Sequence, residues 1–277
     1  MTDLFTGTWA LVTGASSGLG VEFARQLAAR RTNLVLTARS HAELERLAAE
    51  LAGRHGISTH VVVEDLGVVG GAARLAAAVD ALGIPIEHLV NNAGFGAMTR
   101  FTRSSLERQT EMVRLNCETV LVLTWHFLPK MVERGHGGVI QVSSTAGHQP
   151  APFFTTYGAT KAFVLSFASA LAGELRGSGV RMLAFCPGPV QTGFQKAAGL
   201  PVPDLNRGGL RARVSLLNAA EAVRRGLVAY ERGRDVCVPG VVNRVMTLAA
   251  KHAPRAWIVD AAARSLSRGG DARRPSR

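Results

Sequence analysis

The chain has 277 residues, 47% hydrophobic and 19% charged, with 32 Lys/Arg against 20 Asp/Glu and a formal net charge of +12. That apolar fraction supports a substantial core and one large α/β domain. Three scattered cysteines (Cys117, Cys186, Cys237) without CxxC spacing exclude a disulfide framework and point to reduced thiols in a cytoplasmic protein. The eight histidines show no paired ligand spacing, so no metal site is expected. No apolar run approaches the ~18 residues of a transmembrane helix. The start, MTDLFTGTWALVTG, lacks the basic region, long apolar core and cleavage site of a signal peptide.

Short β-branched runs alternate with Ala/Leu-rich helical stretches. Strands are expected at 8–13, 33–38, 58–64, 87–91, 138–143, 180–186 and 234–238, and helices near 18–30, 41–55, 69–82, 104–133, 155–177 and 218–231. Several strands are apolar on both faces, as in a parallel sheet covered by helices on both sides. This βαβ rhythm predicts a single doubly wound domain over 1–240, with a mostly parallel, seven-stranded sheet. Residues 187–215 carry four prolines and read as a long loop of the kind that forms lids or binding segments. Residues 241–267 hold two apolar helical stretches separated by Pro254, and 268–277 form a basic, polar tail expected to be disordered. From Pro201 onward there are 15 Lys/Arg against 6 Asp/Glu, so most of the positive charge belongs to this end.

Residues 13–20, TGASSGLG, follow the first strand and admit two chemistries. Gly14, Gly18 and Gly20 can line a phosphate-cradling turn at a helix start, where free N–H groups and the helix dipole attract an anion. Alternatively, Gly14 to Gly18 satisfies G-x-S-x-G, a hydrolase nucleophile elbow with Ser16 as nucleophile and acid and histidine partners further on, such as Asp235 and His252. The elbow needs a preceding strand and loop for its oxyanion donor. The first βα turn of a doubly wound sheet is instead where a dinucleotide pyrophosphate binds.

Tyr157 and Lys161 stand at i and i+4, on one face of a helix. An ammonium near a phenol lowers its pKa, which would suit Tyr157 to general acid/base work near neutral pH. For an isolated pair, a surface Tyr and Lys is the ordinary reading. Ser144, thirteen residues upstream at a strand end, could orient a carbonyl beside the phenol, while Ser143 bonds backbone.

With these residues in place, the chain resembles the short-chain dehydrogenase/reductase family. The match rests on TGASSGLG, Asp65-Leu66, Asn91-Asn92-Ala93-Gly94, Asn116, Ser143-Ser144, Tyr157-x-x-x-Lys161, Pro187-Gly188 and Thr192, in the family's order over about residues 8–195. The resemblance implies a Rossmann-type fold and a catalytic group of Asn116, Ser144, Tyr157 and Lys161. In it Tyr157 protonates the substrate oxygen, Ser144 holds that oxygen, Lys161 binds the nicotinamide ribose, and Asn116 holds a relay water. It further implies cofactor contacts from Gly14, Ser16, Ser17, Gly18, Leu19, Gly20, Asp65, Leu66, Asn92, Ala93, Gly94, Pro187, Gly188, Val190 and Thr192. Asp65 would meet the adenine amino group, though a solvated acid at a strand end reads the same way. Thr192 could equally cap a turn. A dimer or tetramer built on the helices at 104–133 and 155–177 is also implied.

The second strand ends Thr37-Ala38-Arg39-Ser40 without the carboxylate that NAD-preferring doubly wound enzymes use for the ribose 2′-OH. Arg39 can instead pair with a 2′-phosphate, which favours NADP. Phe153-Phe154 and the long loop's Phe194, Leu200, Val202 and Leu205 suggest an apolar lid, with Phe153, Phe194, Ser144 and Tyr157 as substrate contacts. The expected substrate is a lipophilic ketone, aldehyde or alcohol; the same residues also read as loop anchors or oligomer contacts. The basic 241–267 segment reads first as packing on the protein or on a neighbouring subunit, with contact with an anionic membrane surface as the second reading. No nucleic-acid motif is found. A serine hydrolase and a non-catalytic dinucleotide-binding adaptor are the competing classes.

Overall fold

The computed structural model describes residues 3–191, 194, 198 and 217–267. Five βα repeats open the chain: β1 (Trp9–Thr13), α1 (Gly18–Ala28), β2 (Asn33–Ala38), α2 (His41–His55), β3 (Thr59–Val63), α3 (Gly71–Asp80), β4 (His88–Asn91), α4 (Leu106–Val113), α5 (Thr119–Arg134), β5 (Gly138–Val142) and α6 (Thr155–Glu174). There follow β6 (Arg181–Phe185), β7 (Val190–Gln191), β8 (Leu217–Asn218), α7 (Ala219–Glu231), β9 (Val236–Cys237), α8 (Val241–His252) and α9 (Arg255–Ser267).

Seven strands form one sheet in the order β3-β2-β1-β4-β5-β6-β9, every pair parallel. The order reverses beside β1, which pairs with β2 on one side and β4 on the other. At such a switch point the connections leave in opposite directions and open a crevice beyond the strands' carboxyl ends. The short β7–β8 ladder, Val190 opposite Leu217, was not foreseen from sequence: two-residue strands carry no periodic signal.

Side-chain alternation builds two apolar layers. Ala10, Val12, Leu34 and Leu36 point toward Phe23, Leu27, Leu44, Leu51 and Leu227 on α1, α2 and α7. Leu11, Val35 and Leu89 point the other way, toward Leu75, Leu123, Phe127, Met131 and Ala168 on α3, α5 and α6. Each such buried Leu or Phe contributes ~1.5–3 kcal/mol of transfer free energy. The rigid sheet between these layers fixes the loops at its carboxyl edge.

The stretch expected as one helix over 104–133 is divided. A 3₁₀ turn occupies Phe101–Arg103, and α4 joins α5 through a π-helical segment, Arg114–Glu118. Beyond the sheet the two expected C-terminal helices form on either side of Pro254. Among the described residues no helix is long and apolar enough to cross a membrane.

Candidate active site

The turn after β1 is shaped by its glycines. Gly14 takes φ +67° and Gly18 φ +56°, the left-handed region that costs other residues free energy. Gly20 serves packing instead, since a Cβ there would lie 2.1 Å from the Gly14 carbonyl oxygen. Ser17 precedes α1 in extended conformation without a side-chain cap bond, and the first turn holds no acid. The leading N–H groups of α1 therefore lack an intrahelical or capping acceptor, as an anion site requires.

The neighbouring loop after β4 is locked to this turn. Thr13 Oγ1 accepts from the N–H groups of Asn92 and Ala93, both at 2.9 Å, and Asn92 Nδ2 donates to the Thr13 carbonyl at 2.9 Å. Asn91 points into the sheet, donating to Gln141 Oε1 at 3.0 Å. Arg39 emerges from the end of β2, 72% exposed, with its guanidinium 4.0 Å from Asp65 Oδ2. That separation is too long for a hydrogen bond. The other oxygen of Asp65 accepts from the Gly67 N–H at 2.8 Å, and Leu66 is buried. These residues all sit along one carboxyl edge, and they fit a dinucleotide laid with its pyrophosphate on α1 and its adenosine toward β2 and β3.

Ser16, the alternative nucleophile, has no histidine or carboxylate hydrogen-bonded to it among the described residues. Asp235 is instead paired with Arg176 at 3.2 Å, and His252 is exposed at the end of α8.

Asn116, Tyr157 and Lys161 converge from α6 and the π-helical segment. Asn116 is fully buried; its Nδ2 donates to the Phe95 carbonyl at 3.0 Å and to Thr160 Oγ1 at 2.9 Å, while Oδ1 accepts from the Phe95 N–H at 3.2 Å. Thr160 in turn donates to the Tyr157 carbonyl at 2.8 Å. The π turn adds one residue to the helical register, which lets Asn116 face this cluster. A Cβ on Gly94 would fall 2.8 Å from Asn116 Oδ1 and 3.4 Å from Lys161 Nζ, so the Gly94 backbone is where the two polar groups meet.

Lys161 is buried and donates to the Val142 carbonyl at 2.8 Å. Burial pulls its ammonium down to about 8. Ser143 Oγ donates to the Lys161 carbonyl at 2.7 Å, the backbone role expected of it. Ser144 Oγ accepts from the Ala146 N–H at 3.1 Å and reaches the Pro187 carbonyl at 3.5 Å. Burial pushes the Tyr157 phenol up to about 12, opposed by its hydrogen bond with Ser144. The expected lowering of Tyr157 by Lys161 is absent from this state. Lys161 Nζ stands 5.7 Å from the ring centroid and is engaged with Val142, so desolvation wins.

The apolar surroundings of Tyr157 correct another expectation. Phe154, not Phe153, stacks on the Tyr157 ring, with centroids 4.2 Å apart, and Phe194 lies at 5.5 Å. Phe95, Met98, Met112 and Ala198 belong to the same cluster. Phe153 adopts φ +63°, which turns its side chain toward the Arg100 guanidinium, 5.4 Å from its ring centroid. Sequence reasoning paired the two phenylalanines and had no signal for that backbone inversion. The Met98 N–H donates to the Ala198 carbonyl at 2.8 Å, tying the loop after β4 to the long loop.

On the far side of the crevice, Pro187 accepts from the Thr145 N–H at 3.0 Å. Gly188 packs on Asn243, whose amide a Cβ would meet at 2.5 Å. Val190 is buried in the β7–β8 ladder. Thr192 and the loop residues Leu200, Val202 and Leu205 lie outside the described residues, as does the 268–277 tail. No cluster of three metal-ligating side chains occurs among the described residues.

Comparison with known proteins agrees with this geometry. A family model described as short chain dehydrogenase matches residues 8–201. The very-long-chain 3-oxoacyl-CoA reductase of Phaeosphaeria nodorum is 36% identical over 182 residues, 64% of this chain and 53% of the relative, so the chain matches about half of that protein's length. The ketoacyl reductase HetN of Nostoc sp. is 35% identical over 222 residues, 79% of this chain and 75% of the relative. A short-chain dehydrogenase from Sphingobium yanoikuyae, solved in complex with NADPH, is 28% identical with a TM-score of 0.76, covering 98% of both chains. The chain belongs to the short-chain dehydrogenase/reductase family.

Proposed function

We propose that this protein is an NADP(H)-dependent oxidoreductase that interconverts a lipophilic ketone or aldehyde and its alcohol, with Tyr157 as general acid/base. The observation that carries the reading is the burial of Tyr157 against Phe154 and Phe194, with Ser144 beside its phenol and Lys161 one helical turn on. The chemistry the nicotinamide cofactor supplies when bound is hydride transfer to or from the substrate carbon. A phenol held near 12 is protonated at neutral pH, so Tyr157 stands ready to donate as negative charge develops on the substrate oxygen. Ser144 holds that oxygen. Lys161, an ammonium below about pH 8, favours the phenolate left behind and binds the nicotinamide ribose. Asn116 fixes the Phe95 backbone and α6 through Thr160, and with Lys161 it flanks Gly94, where a relay water would sit.

Arg39 supports NADP over NAD: it is an exposed guanidinium at the end of β2 with no full hydrogen-bonded partner in Asp65. The NADPH complex of the S. yanoikuyae relative agrees with this choice. The apolar walls around Tyr157, with the 3-oxoacyl and ketoacyl reductase names of two relatives, favour a ketone on an acyl chain. A homo-oligomer is supported by apolar residues left outward on α5 and α6, among them Leu121, Trp125, Val132 and Phe163. Three unpaired thiols support a reducing, cytoplasmic setting.

The test is NADPH oxidation with 3-oxoacyl thioesters of increasing chain length. A kcat/KM that climbs with chain length supports the reading. Flat or absent turnover across the series, with small polar ketones reduced instead, overturns the lipophilic assignment.

A further inference from the structure

We propose that the outward face of α8, together with Trp257 on α9, docks this protein on an anionic lipid surface. An ordinary surface helix buries its apolar stripe and shows its polar side to water. α8 does the reverse. Its buried positions are the polar Asn243 and Thr247, while Val241, Val245, Met246 and Leu248 are 51–75% exposed. At about 100° per residue these four share one broad side of the helix.

The orientation is anchored. Asn243 Nδ2 donates to the Pro239 carbonyl at 3.0 Å, and the same amide fills the space against Gly188. Gly240, at φ +91°, admits the turn into α8 and also packs on Asn243. Rolling the apolar side inward would pull the amide off Gly188. After Pro254, α9 presents Trp257, 71% exposed, an aromatic of the kind that settles at a water–lipid boundary.

Charge selects the occupant. From Val241 to the end the sequence holds eight Lys/Arg against two Asp. Arg244, Lys251 and Arg255 are exposed on the same two helices. A second copy of the chain would set this excess against itself, whereas an anionic bilayer complements it. Among the described residues no helix is both long and apolar enough to cross a membrane, and α8 and α9, at 12 and 13 residues, are too short to span one, so the segment lies in the interface plane. Because α8 packs on Gly188 beside the crevice, docking would bring the site's mouth near the lipid. That consequence rests on the proposed reductase activity; the docking itself does not.

The experiment is co-sedimentation of the full chain with vesicles of equal parts phosphatidylglycerol and phosphatidylcholine, and with phosphatidylcholine alone, at low and high salt. Each basic residue near an anionic surface strengthens binding about fivefold, so the anionic vesicles should bind at least about tenfold more tightly. Salt should weaken that binding. Trp257 emission should shift to the blue, a change lost in Trp257→Phe. The double variant Val245→Ser/Met246→Ser alters exposed side chains only; it should lose vesicle binding by about tenfold or more and keep NADPH affinity.

Absence of sedimentation at low salt, or undiminished binding by the double variant, would overturn the proposal. So would a dimer that the double variant dissociates while vesicles go unbound, since the face would then join copies of the chain. Vesicle binding without NADPH binding would instead refute the reductase reading alone.

Discussion

Replacing Arg39 with alanine should separate the two nicotinamide cofactors. The guanidinium is 72% exposed and 4.0 Å from Asp65 Oδ2, so its donors are available to a 2′-phosphate. A hydrogen bond to a charged group contributes ~1.5–3 kcal/mol, and solvent screening at this exposure argues for the lower part of that range, ~1.5–2 kcal/mol. The NADPH dissociation constant should therefore rise about 10–30-fold. NADH lacks the phosphate, and the Asp65 pair lost with Arg39 is an exposed one of ~0–1 kcal/mol. NADH affinity should change by less than about twofold, or improve slightly as Asp65 becomes free to accept from the ribose hydroxyls. Calorimetric titration of both cofactors at two ionic strengths reads this directly, and the NADPH preference of the unsubstituted protein should shrink with salt. Equal losses for the two cofactors would refute the argument, because Arg39 would then be acting on the fold and not on the phosphate.

Gly20→Ala places a methyl 2.1 Å from the Gly14 carbonyl oxygen. Such overpacking costs ~1–3 kcal/mol, so Tm should fall by about 2–10 °C and NADPH binding should weaken with it; an unchanged Tm would show that α1 is not pressed against the turn. Lys161 titrates at about 8 in the fold against a usual 10.5. Between those values the unfolded chain keeps a proton that the fold has lost, so stability rises with pH, and the penalty is fully present below about pH 8. It is on the order of 3 kcal/mol. Tyr157, raised from 10.0 to about 12, is protonated in both states until pH nears 10 and leaves this window undisturbed. The raised thiols of Cys117, Cys186 and Cys237 lower stability above about pH 9; Lys161 acts on Cys117 and Cys186, but those thiols stay protonated in the fold through this window with or without it, so the comparison is little affected. The stability gap between Lys161→Met and the unsubstituted protein should therefore narrow as pH climbs from about 7.5 to 9.5. Chemical denaturation across that range reads it, and a constant gap would mean that Lys161 is not desolvated.

Much of the sheet and of the polar site was legible because both leave periodic or locally spaced marks. All seven strands of the main sheet fall within or beside the stretches expected from alternation and apolar runs. Tyr157 and Lys161 are one helical turn apart wherever they lie on α6, so their shared face followed from spacing alone. Asn116 was identified by resemblance, yet the π turn that aims it at Phe95 and Thr160 left no mark in a 3.6-residue pattern. The exchange of Phe153 for Phe154 depends on one positive φ that bulky residues seldom adopt. For α8, periodicity reveals two faces but not which one turns inward. That choice is made by Asn243 fitting against Gly188, a long-range contact. Tyr157 shows the same limit: spacing brings Lys161 near, but burial of the phenol and the engagement of Lys161 with the Val142 carbonyl set the direction of its shift.

The central claim is that Tyr157 delivers the proton in a carbonyl reduction driven by NADPH. Its most direct measurement compares single-turnover NADPH oxidation by the unsubstituted protein and by Tyr157→Phe, using a medium-chain 3-oxoacyl thioester. The phenylalanine ring preserves the stack with Phe154 and removes only the hydroxyl. The account predicts a rate lowered by about 10²–10⁴-fold with NADPH affinity unchanged. Equal rates for the two proteins would contradict it, as would an unsubstituted protein that binds NADPH tightly and reduces no carbonyl.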